Sequence, residues 1–472
     1  MTIIGLDVGT TAVKAVAFHG VTRAAIREYS LHSPQAGWQV QDPDVIVAAT
    51  LDALAEVHGP DVAGVSVSAA MHGLIGLDSQ NRPLTSLITW ADGRAGEQAA
   101  ALRSTELYDI SGVPVHPMSP LTKLRWFTEE SPDIARRVRW WVGLKDYVLL
   151  ALTGQLVTES SSASGTGLLD RRTRQWSPSA VRAAGISQEQ LPPILSPTAT
   201  LPMIAPVPGL PVVVGAADGP LGNVGTGALW PGSVALSVGT SAAARMVVPE
   251  STIDPGQRLF CYALTEDQWV VGSALSTGGA VVRWAGQVYG ANSDEQVLQW
   301  ASEAPPGCDG LLALPYLFAE RGPLWDPTLT GAFMGIRAEH TRAHFCRAAI
   351  EGVARQLAVV VAALNEITHV RDVRATGGVF RSLLWREIVA GTLDRPLQVV
   401  DGAEGTARGA AALGLYALGI CDDLASAVAQ LQPSALCVTQ PADAAAYRAV
   451  TEAIPALIRS YGGVAELFDP IG

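Results

Sequence analysis

The sequence predicts an α/β protein made of two related domains that face each other across a central cleft. Residues 3–18 form an apolar run, a short turn with Gly9 and a second apolar run, which is the pattern of a β-hairpin. Residues 234–248 repeat this pattern around Gly239. The chain has 472 residues, of which 48% are hydrophobic, and this is enough for two or three domains with sizeable cores.

The first hairpin carries groups that suit phosphate. Gly9 lets the backbone approach a ligand closely, and the turn amides and the hydroxyls of Thr10 and Thr11 can donate hydrogen bonds to phosphate oxygens. Asp7 precedes the turn, and because a carboxylate repels phosphate, a hydrated Mg²⁺ between the two would explain its place. A structural turn beside a satisfied aspartate would show the same pattern, so this hairpin alone leaves both interpretations open.

The second hairpin favours the phosphate interpretation. Gly239 and Thr240 repeat the glycine and threonine of the first turn, whereas Ser237 stands where the first copy has Asp7. Two related phosphate-binding hairpins, one of them with a metal-binding carboxylate, indicate two related domains on opposite sides of a nucleotide. This arrangement is typical of the actin-like (ribonuclease H-like) ATPase fold, which sugar kinases, actin and Hsp70-type chaperones share.

The remaining chain alternates between helical and strand periodicity. Ser119 followed by Pro120 marks a helix start, because serine is a frequent cap and proline suits the first turn. In the first domain, placed at residues 1–245, we expect helices at 43–57, 119–127, 133–138 and 145–152, strands at 62–68 and 212–214, an irregular polar loop at 158–167 and an extended proline-rich segment at 192–211. In the second, placed at residues 246–472, we expect helices at 274–284, 293–300, 343–366, 404–414 and 442–461, and strands at 311–316 and 373–376.

Two segments that follow predicted strands and turns are candidates for a substrate pocket, with the residues Ala70, Met71, His72, Trp90, Asp92 and Arg94. A tryptophan can stack on the apolar face of a sugar, while an aspartate and an arginine can hold hydroxyls or a carboxylate through paired hydrogen bonds. Other interpretations stay open, namely Met71 as core filler, His72 as a satisfied loop histidine, and the charged pair as a surface salt bridge beside a buried tryptophan.

Asp218 is the candidate catalytic carboxylate. It follows the buried strand at 212–214 and has glycine and alanine on either side. Ligands of α/β sheets lie at strand ends, and small neighbours leave this carboxylate open to a substrate. A cap for a following helix is the alternative role.

Composition restricts the partners that we expect. The net charge is −12 and the basic residues are scattered, which argues against nucleic acid or an anionic membrane. No apolar run approaches the length that crosses a bilayer, and the N-terminus shows no secretory signal. Five cysteines without metal-type spacing indicate reduced thiols in a cytoplasmic protein. A homodimer stays open.

Taken together, these residues resemble the FGGY carbohydrate kinases over essentially the whole chain. Two spaced patterns of that family are present in the expected order. One consists of Met118, Pro120, Lys123, Leu124 and Trp126, and the other runs from residues 331–336 to residues 348–351. Matches at both patterns, together with both hairpins, make a chance resemblance implausible.

The resemblance implies a role for each candidate residue. Asp7 would organise Mg²⁺, and Asp218 would be the catalytic base. The residues that would meet the ATP phosphates are Thr10, Thr11, Gly239 and Thr240. The residues along the adenosine site would be Gly377, Gly378 and Ser382, where a glycine pair between a strand and a helix lets the helix N-terminus approach a nucleotide. The sugar pocket would contain Ala70, Met71, His72, Trp90, Asp92 and Arg94.

Within the family, the sequence looks more like gluconate kinases than xylulokinases. Ala70 precedes Met71 and His72, where xylulokinases usually have glutamine, and residues 261–266 and 320–325 also resemble gluconate kinases. Gly93, however, is the residue seen in xylulokinases. We therefore expect a kinase that uses ATP and Mg²⁺ to phosphorylate the terminal hydroxyl of D-gluconate to 6-phosphogluconate. The fork of Arg94 would bind the carboxylate of this small-molecule sugar acid.

Two other functions stay open at this point. One is a kinase for xylulose or for another ketose or polyol. The other is an actin-like or chaperone-like ATPase, which would have no reason to collect a sugar pocket around His72 and Trp90. A kinase also needs its two halves to close and exclude water, so we expect a hinge between them.

Overall fold

The structure is a computed structural model, and it describes residues 1–18, 23–400, 404–431 and 435–465. The first half is organised around one large sheet. Its elements in chain order are β1 (Thr2–Val8), β2 (Ala12–Phe18), β3 (Arg23–Glu28), β4 (Val40–Gln41), α1 (Pro43–Val57), β5 (Val62–Ala69), β6 (Ile75–Leu77), β7 (Leu87–Ile88), α2 (Gly96–Leu102), α3 (Thr105–Ser111), α4 (Pro120–Glu130), α5 (Pro132–Arg137), β8 (Trp140–Val142), α6 (Leu144–Thr153), β9 (Thr158–Glu159), α7 (Ser160–Ser164), β10 (Leu169–Asp170), β11 (Gln175–Trp176), α8 (Pro178–Ala184), β12 (Ile194–Leu195), β13 (Thr200–Pro202), β14 (Pro211–Val213) and α9 (Asp218–Gly225).

The second half is organised around a second large sheet. Its elements in chain order are β15 (Ser233–Val238), β16 (Ala242–Val248), β17 (Phe260–Ala263), β18 (Trp269–Leu275), α10 (Ala280–Tyr289), α11 (Asp294–Glu303), β19 (Leu312–Leu314), β20 (Ala332–Met334), α12 (Arg342–Ile367), β21 (Asp372–Thr376), α13 (Leu383–Leu393), β22 (Leu397–Val400), α14 (Gly405–Ala417), α15 (Leu424–Gln430), β23 (Ala435–Thr439) and α16 (Ala444–Ala465).

The two large sheets share one topology. The strand order is β13-β14-β5-β1-β2-β3 in the first sheet and β17-β18-β16-β15-β21-β22-β23 in the second. In each sheet, the two hairpin strands are antiparallel, and the first hairpin strand runs parallel to its other neighbour, β5 or β21. When β1 is matched with β15, every strand of the first sheet has a counterpart in the second. The predicted α/β fold with two related halves is confirmed.

One hydrophobic core is shared by both halves. It contains Ile3 and Val16 from the first sheet, Val247 and Val270 from the second sheet, and apolar side chains of α9 and α14. Helices α9 and α14 therefore lie between the two sheets, and the cleft opens at one end of this helical layer.

Glycines bring the backbones of this layer into direct contact. A Cβ on Gly5 of β1 would lie 1.9 Å from the carbonyl oxygen of Ala407 in α14, and a Cβ on Gly225 of α9 would lie 1.7 Å from that of Gly405. Such distances exclude any side chain at either glycine. Helix α14, which belongs to the second half by sequence, thus packs directly on the sheet of the first half.

Two predicted elements need correction. Residues 158–167 are not an irregular loop, because they form β9 and α7, and the Glu159 carboxylate accepts hydrogen bonds from the amides of Ser161 and Ser162 at the start of that helix. The helix predicted from residue 274 begins at Ala280, since residues 274–275 still pair with β16 at the end of β18.

Ser119 does stand at the N-cap position of α4, but its side chain caps no helix amide. Its Oγ donates instead to the carbonyl oxygen of His116, 3.0 Å away. The proline at the first position of α4 therefore marks the helix start without the serine bond that we expected.

Helix α12 is, within the described part of the chain, the one helix that is long and apolar enough to cross a membrane by length and composition. This corrects the expectation that no segment approaches such a length. However, 89% of its apolar window is buried inside the protein, and Ile350, Val353 and Leu357 belong to the core beneath the second sheet. Burial of this kind is characteristic of a core helix.

The chain passes from the first large sheet to the second between Val213, where β14 ends, and Ser233, where β15 begins. Strand β16 of the second sheet crosses residue 245, where we placed the division. The extent of each domain stays a prediction.

Candidate active site

A cleft of about 310 Å³ lies between the two hairpins. Its walls come from both halves and include Asp7, Lys14, Asp218, Gly219, Ser237, Gly239, Arg245, Gly377 and Thr406. The structure thus brings four of the predicted site residues together around one cavity. These four residues are Asp7, Asp218, Gly239 and Gly377.

Asp7 lies near the end of β1, opposite Lys14 in the hairpin and next to Ser68 of β5. The pKa of Asp7 is raised to about 7, because burial and then the Asp218 carboxylate raise it by more than Lys14 and a hydrogen bond from Ser68 lower it. Two carboxylates, those of Asp7 and Asp218, thus lie close together at the cleft wall. Their oxygens are the ligands that Mg²⁺ prefers, so the residues present fit this ion together with phosphate oxygens and water.

Lys14 is a site residue that we did not predict. It lines the same cavity as Asp7, and its cation lies close enough to lower the pKa of that carboxyl. Strand alternation could have revealed it, because an antiparallel hairpin places Lys14 directly across from Asp7.

Asp218 is the first residue of α9, and its carboxylate faces the cleft. Oδ1 accepts a hydrogen bond of 2.8 Å from the amide of Gly219, and the carboxylate also accepts one from the amide of Met71. Burial raises the pKa of Asp218, while the nearby Arg245 lowers it. The N-cap residue of α9 is Ala217 and no side chain caps this helix, so Asp218 binds the amides of Gly219 and Met71 without being the cap, and its carboxylate lines the cavity.

The hydroxyl of Thr10 connects the first hairpin to the predicted sugar pocket. Thr10 Oγ1 accepts a hydrogen bond of 2.9 Å from Trp90 Nε1, and the Thr10 carbonyl accepts one of 2.7 Å from Gln41 Nε2. Thr10 and Trp90 line a small cavity with Ala70 and Met71, whereas Thr11 is exposed at the turn.

His72 has the left-handed backbone conformation, with φ of 64°. Its Nδ1 lies 2.9 Å from the carbonyl oxygen of Gly165, and its Nε2 lies 3.4 Å from the hydroxyl of Tyr262 on β17. Burial lowers the pKa of His72 to about 3, so the imidazole is neutral near pH 7. His72 therefore contacts the second half as a neutral polar group and is not a general base.

Lys123 is a second residue whose role the sequence did not reveal, although it belongs to one of the family patterns. Its buried Nζ donates to the carbonyl oxygens of His72 and Thr89, each at 2.7 Å. Burial lowers its pKa to about 7. One lysine thus joins the loop with Met71 to the loop with Trp90.

Asp92 and Arg94 bind each other behind this pocket. Arg94 Nε and Nη2 donate to the two carboxylate oxygens of Asp92, each at 2.8 Å, and the guanidinium lies 3.6 Å from the ring centre of Trp38. The pair is buried, so it is not the surface salt bridge of the alternative interpretation. Because Asp92 already uses the paired donors, the expected bond from Arg94 to a substrate carboxylate lacks support.

Two arginines of the second half reach the pocket instead, and we predicted neither. Arg245 lies on β16 and lines the cleft, and the guanidinium carbon of Arg321 lies 4.6 Å from the ring centre of Trp90. An arginine inside the apolar strand β16 was a visible signal, because a buried charge requires a partner.

The glycine pair after β21 has two different environments. Gly377 has φ of 119°, and a Cβ there would lie 2.0 Å from the carbonyl oxygen of Val238, so only glycine fits. Gly378 and Gly239 have open space where a Cβ would point. Ser382 is the N-cap residue of α13, and its side chain makes no cap bond. Open space beside backbone amides fits the close approach of a nucleotide.

This arrangement of a two-sided cleft, glycine turns and a buried carboxylate defines a nucleotide-dependent phosphotransferase. The chain belongs to the FGGY family of carbohydrate kinases, since the N-terminal domain of that family matches residues 2–225 and its C-terminal domain matches residues 234–418. The protein is therefore a carbohydrate kinase that uses ATP. This finding sets aside the actin-like or chaperone-like ATPase.

The chain is similar to gluconate kinases and xylulose kinases of this family. The chain is 36% identical over 452 residues to the gluconokinase of Bacillus licheniformis, covering 89% of this chain and 88% of the relative. It is 31% identical over 448 residues to the xylulose kinase of Bacillus subtilis (strain 168), covering 89% of each. The crystal structure of gluconate kinase from Lactobacillus acidophilus matches with a TM-score of 0.93 and 31% identity, covering 99% of both chains.

Proposed function

We propose that this kinase transfers the γ-phosphate of ATP to the terminal hydroxyl of D-gluconate and so produces 6-phosphogluconate. The observation that carries the proposal is the cleft in which Asp7, Asp218 and Gly239 meet, close to Met71 of the sugar pocket. The higher identity to a gluconokinase than to a xylulose kinase supports gluconate as the acceptor.

The protein need not form a covalent bond to the substrate, because catalysis of phosphoryl transfer depends mainly on positioning the reactants and stabilising the charge on the phosphate oxygens. Asp218 accepts the proton of the acceptor hydroxyl, and its raised pKa improves it as a base. Mg²⁺ would be held by Asp7 and, when bound, would neutralise charge on the phosphate oxygens. The remaining proposed phosphate contacts are Thr10, Thr11, Gly239 and Thr240.

The proposed adenosine contacts are Gly377, Gly378 and Ser382, at the start of α13. The proposed sugar contacts are Ala70, Met71, His72 and Trp90, while Asp92 and Arg94 would hold the loop of Trp90 in place. Closure of the halves over the cleft would exclude water, which could otherwise hydrolyse ATP. A cytoplasmic location and a homodimer also stay predictions.

A coupled assay of ADP release tests the acceptor. We expect kcat/KM to be highest for D-gluconate among gluconate, xylulose, ribulose, fuculose and glycerol. The second candidate acceptor is xylulose, because Gly93 matches xylulokinases and a xylulose kinase is 31% identical to this chain. A higher kcat/KM for xylulose would replace the proposed substrate and leave the phosphoryl-transfer site unchanged.

A further inference from the structure

The side chain of Arg245 is half-buried at the cleft wall and has no matched acceptor among the described residues. Its Nε is inaccessible and unbonded, and within the described residues its side chain has no hydrogen bond and no ion pair. Asp218 acts on it only through its charge. A buried Nε without an acceptor is unfavourable, and a ligand in the cleft with matched acceptors would satisfy it.

Arg321 is a second guanidinium at the same place. Its Nη2 donates to the carbonyl oxygen of Leu275 at 2.8 Å, and its Nε donates to Ser276 Oγ at 3.3 Å. Its Nη1 has no bond to any residue that the structure describes. The pKa of Arg321 is lowered to about 10. Burial is the largest cause, and the nearby charge of Arg245 also lowers it. Arg245 lies beside Met71 and Arg321 lies against Trp90. Because Met71 and Trp90 line one small cavity, both cations approach the same pocket.

The anions around these arginines do not balance them. Glu320 accepts hydrogen bonds from the amides of Ser276 and Arg321 through Oε1, and burial raises its pKa to about 7. Asp218 also has a raised pKa. Near neutral pH, two arginines thus face one carboxylate that is the proposed base and another that is partly protonated, and an anionic ligand would restore the balance.

The position of the arginines indicates the acceptor and not the nucleotide. A strand rises about 3.3 Å per residue, so Arg245 lies about 10 Å along β16 from Ala242, where the phosphate-binding turn ends. A Cβ on Gly219 would lie 3.5 Å from Arg245 Nε and 3.6 Å from Met71 Sδ, which places the arginine beside the sugar pocket. Arg321 lies against Trp90, another residue of that pocket.

We propose that Arg245 and Arg321 bind the carboxylate of a sugar-acid substrate and so make the kinase prefer an acid to a neutral sugar. Paired donors of a guanidinium match the two oxygens of a carboxylate, and this match is lost when the group is a hydroxyl. The inference rests on the proposed function, because it requires gluconate or a similar sugar acid as the acceptor.

The kinetic test compares D-gluconate with D-glucitol, in which a hydroxymethyl group replaces the carboxylate. In Arg245→Met and Arg321→Met, kcat/KM for gluconate should fall about ten- to a hundredfold, as expected when a charged hydrogen bond is lost. The value for glucitol should change little, so the preference for gluconate collapses. The matched control is Arg342→Met, which should keep the wild-type preference. The guanidinium carbon of Arg342 lies 3.7 Å from the ring centre of Trp300, and neither residue lines the cleft.

Each contrary outcome has a distinct meaning. An equal fall for both acceptors, together with a raised KM for ATP, would assign the arginines to the phosphoryl group and overturn the inference. A wild type active on gluconate whose two arginine variants keep the gluconate-to-glucitol ratio would also overturn it, while the proposed function stands. A wild type that prefers a neutral sugar would overturn both.

Thermal unfolding gives a second readout without turnover. Because Arg245 lacks acceptors in the free protein, Arg245→Met should raise the ligand-free Tm by about 1–3 °C. D-gluconate should raise the Tm of the wild type and not that of the variant. A lower ligand-free Tm with an undiminished response to gluconate would show that Arg245 serves only the fold.

Discussion

The β1–β2 and β15–β16 hairpins occupy corresponding places in two sheets of the same topology, yet their turns differ in length. Residues 9–12 separate the last paired residues of the first hairpin, whereas residues 239–241 do so in the second. Each turn begins with a glycine whose amide donates to a carbonyl within the turn. The glycine turn, which we propose to bind phosphate, is thus common to both halves.

The charges of the two hairpins differ more than their backbones. The first hairpin pairs Asp7 with Lys14, and the corresponding pair in the second hairpin is Ser237 with Ala243. The second half instead contributes Arg245, farther along its strand. Related halves can therefore share the backbone geometry of a turn and still carry different charged side chains around it. The predictions below test this difference between the halves.

The largest effect should follow from removal of Asp218, which begins α9 in the first half. Asp218→Ala should lower kcat by about 10²–10⁴, because a positioned base is lost, while ATP binding measured by calorimetry is retained. The counterpart in the second half is Glu404, which precedes α14 and also lines the cleft. Glu404→Ala should lower kcat by less than about tenfold. Similar losses in the two variants would contradict this difference between the halves.

Removal of the carboxylate in the first hairpin should have the next largest effect. Asp7→Asn should lower Mg²⁺-dependent activity by about ten- to a hundredfold, because a charged ligand is lost, while nucleotide affinity without metal is unchanged or higher. Ser237→Ala is the matched variant in the second hairpin and should show neither change. If Asp7→Asn weakened nucleotide binding equally with and without Mg²⁺, Asp7 would have no role at the metal.

The raised pKa of Asp7 also predicts how stability depends on pH. Its pKa of about 7 in the folded protein exceeds the ordinary value of 3.8, so the folded state holds this proton more tightly than the unfolded state. The contribution of Asp7 to stability is therefore favourable at low pH and is lost as the pH rises from 3.8 to about 7. In metal-free protein, the Tm of the wild type should fall relative to that of Asp7→Asn over this interval. A constant difference would contradict the shift.

The smallest effect on specificity should come from Arg94. Because its fork is bound to Asp92, Arg94→Lys should lower the Tm and change kcat/KM for gluconate and xylulose by the same factor. Arg245→Met, by contrast, should change the ratio of the two. A selective loss of gluconate activity in Arg94→Lys would show that Arg94, in the first half, binds the substrate carboxylate, as the sequence first suggested.

The sequence alone was sufficient for features that depend on nearby residues. Both hairpins, the helix start at Pro120 and the position of Asp218 after a buried strand follow from local apolar patterns and small residues, and the structure contains all of them. The repeat of the hairpin further predicted two related halves. These inferences succeed because strand period, turn residues and helix starts are set within a few positions.

Features that depend on distant contacts were not predictable in the same way. Lys123 contacts carbonyls 51 and 34 residues earlier in the chain, and Arg321 meets a tryptophan from the other half. The role that we now propose for Arg94 differs from the one expected, because Asp92 binds and Trp38 covers the guanidinium that local spacing left open. Local patterns identify which side chains carry charge, and only the packed fold decides which of them reaches a ligand.

Helix α14 packs on the sheet of the half to which it does not belong in sequence, and this has a consequence for fragments of the protein. A first half expressed alone would expose Ile3 and Val16 of its sheet, which α14 covers in the whole chain. A second half expressed alone would lack the first sheet, on which that helix packs. Neither fragment should be soluble by itself. The two fragments produced together in one cell should reassemble, so that recovered kinase activity would report their association.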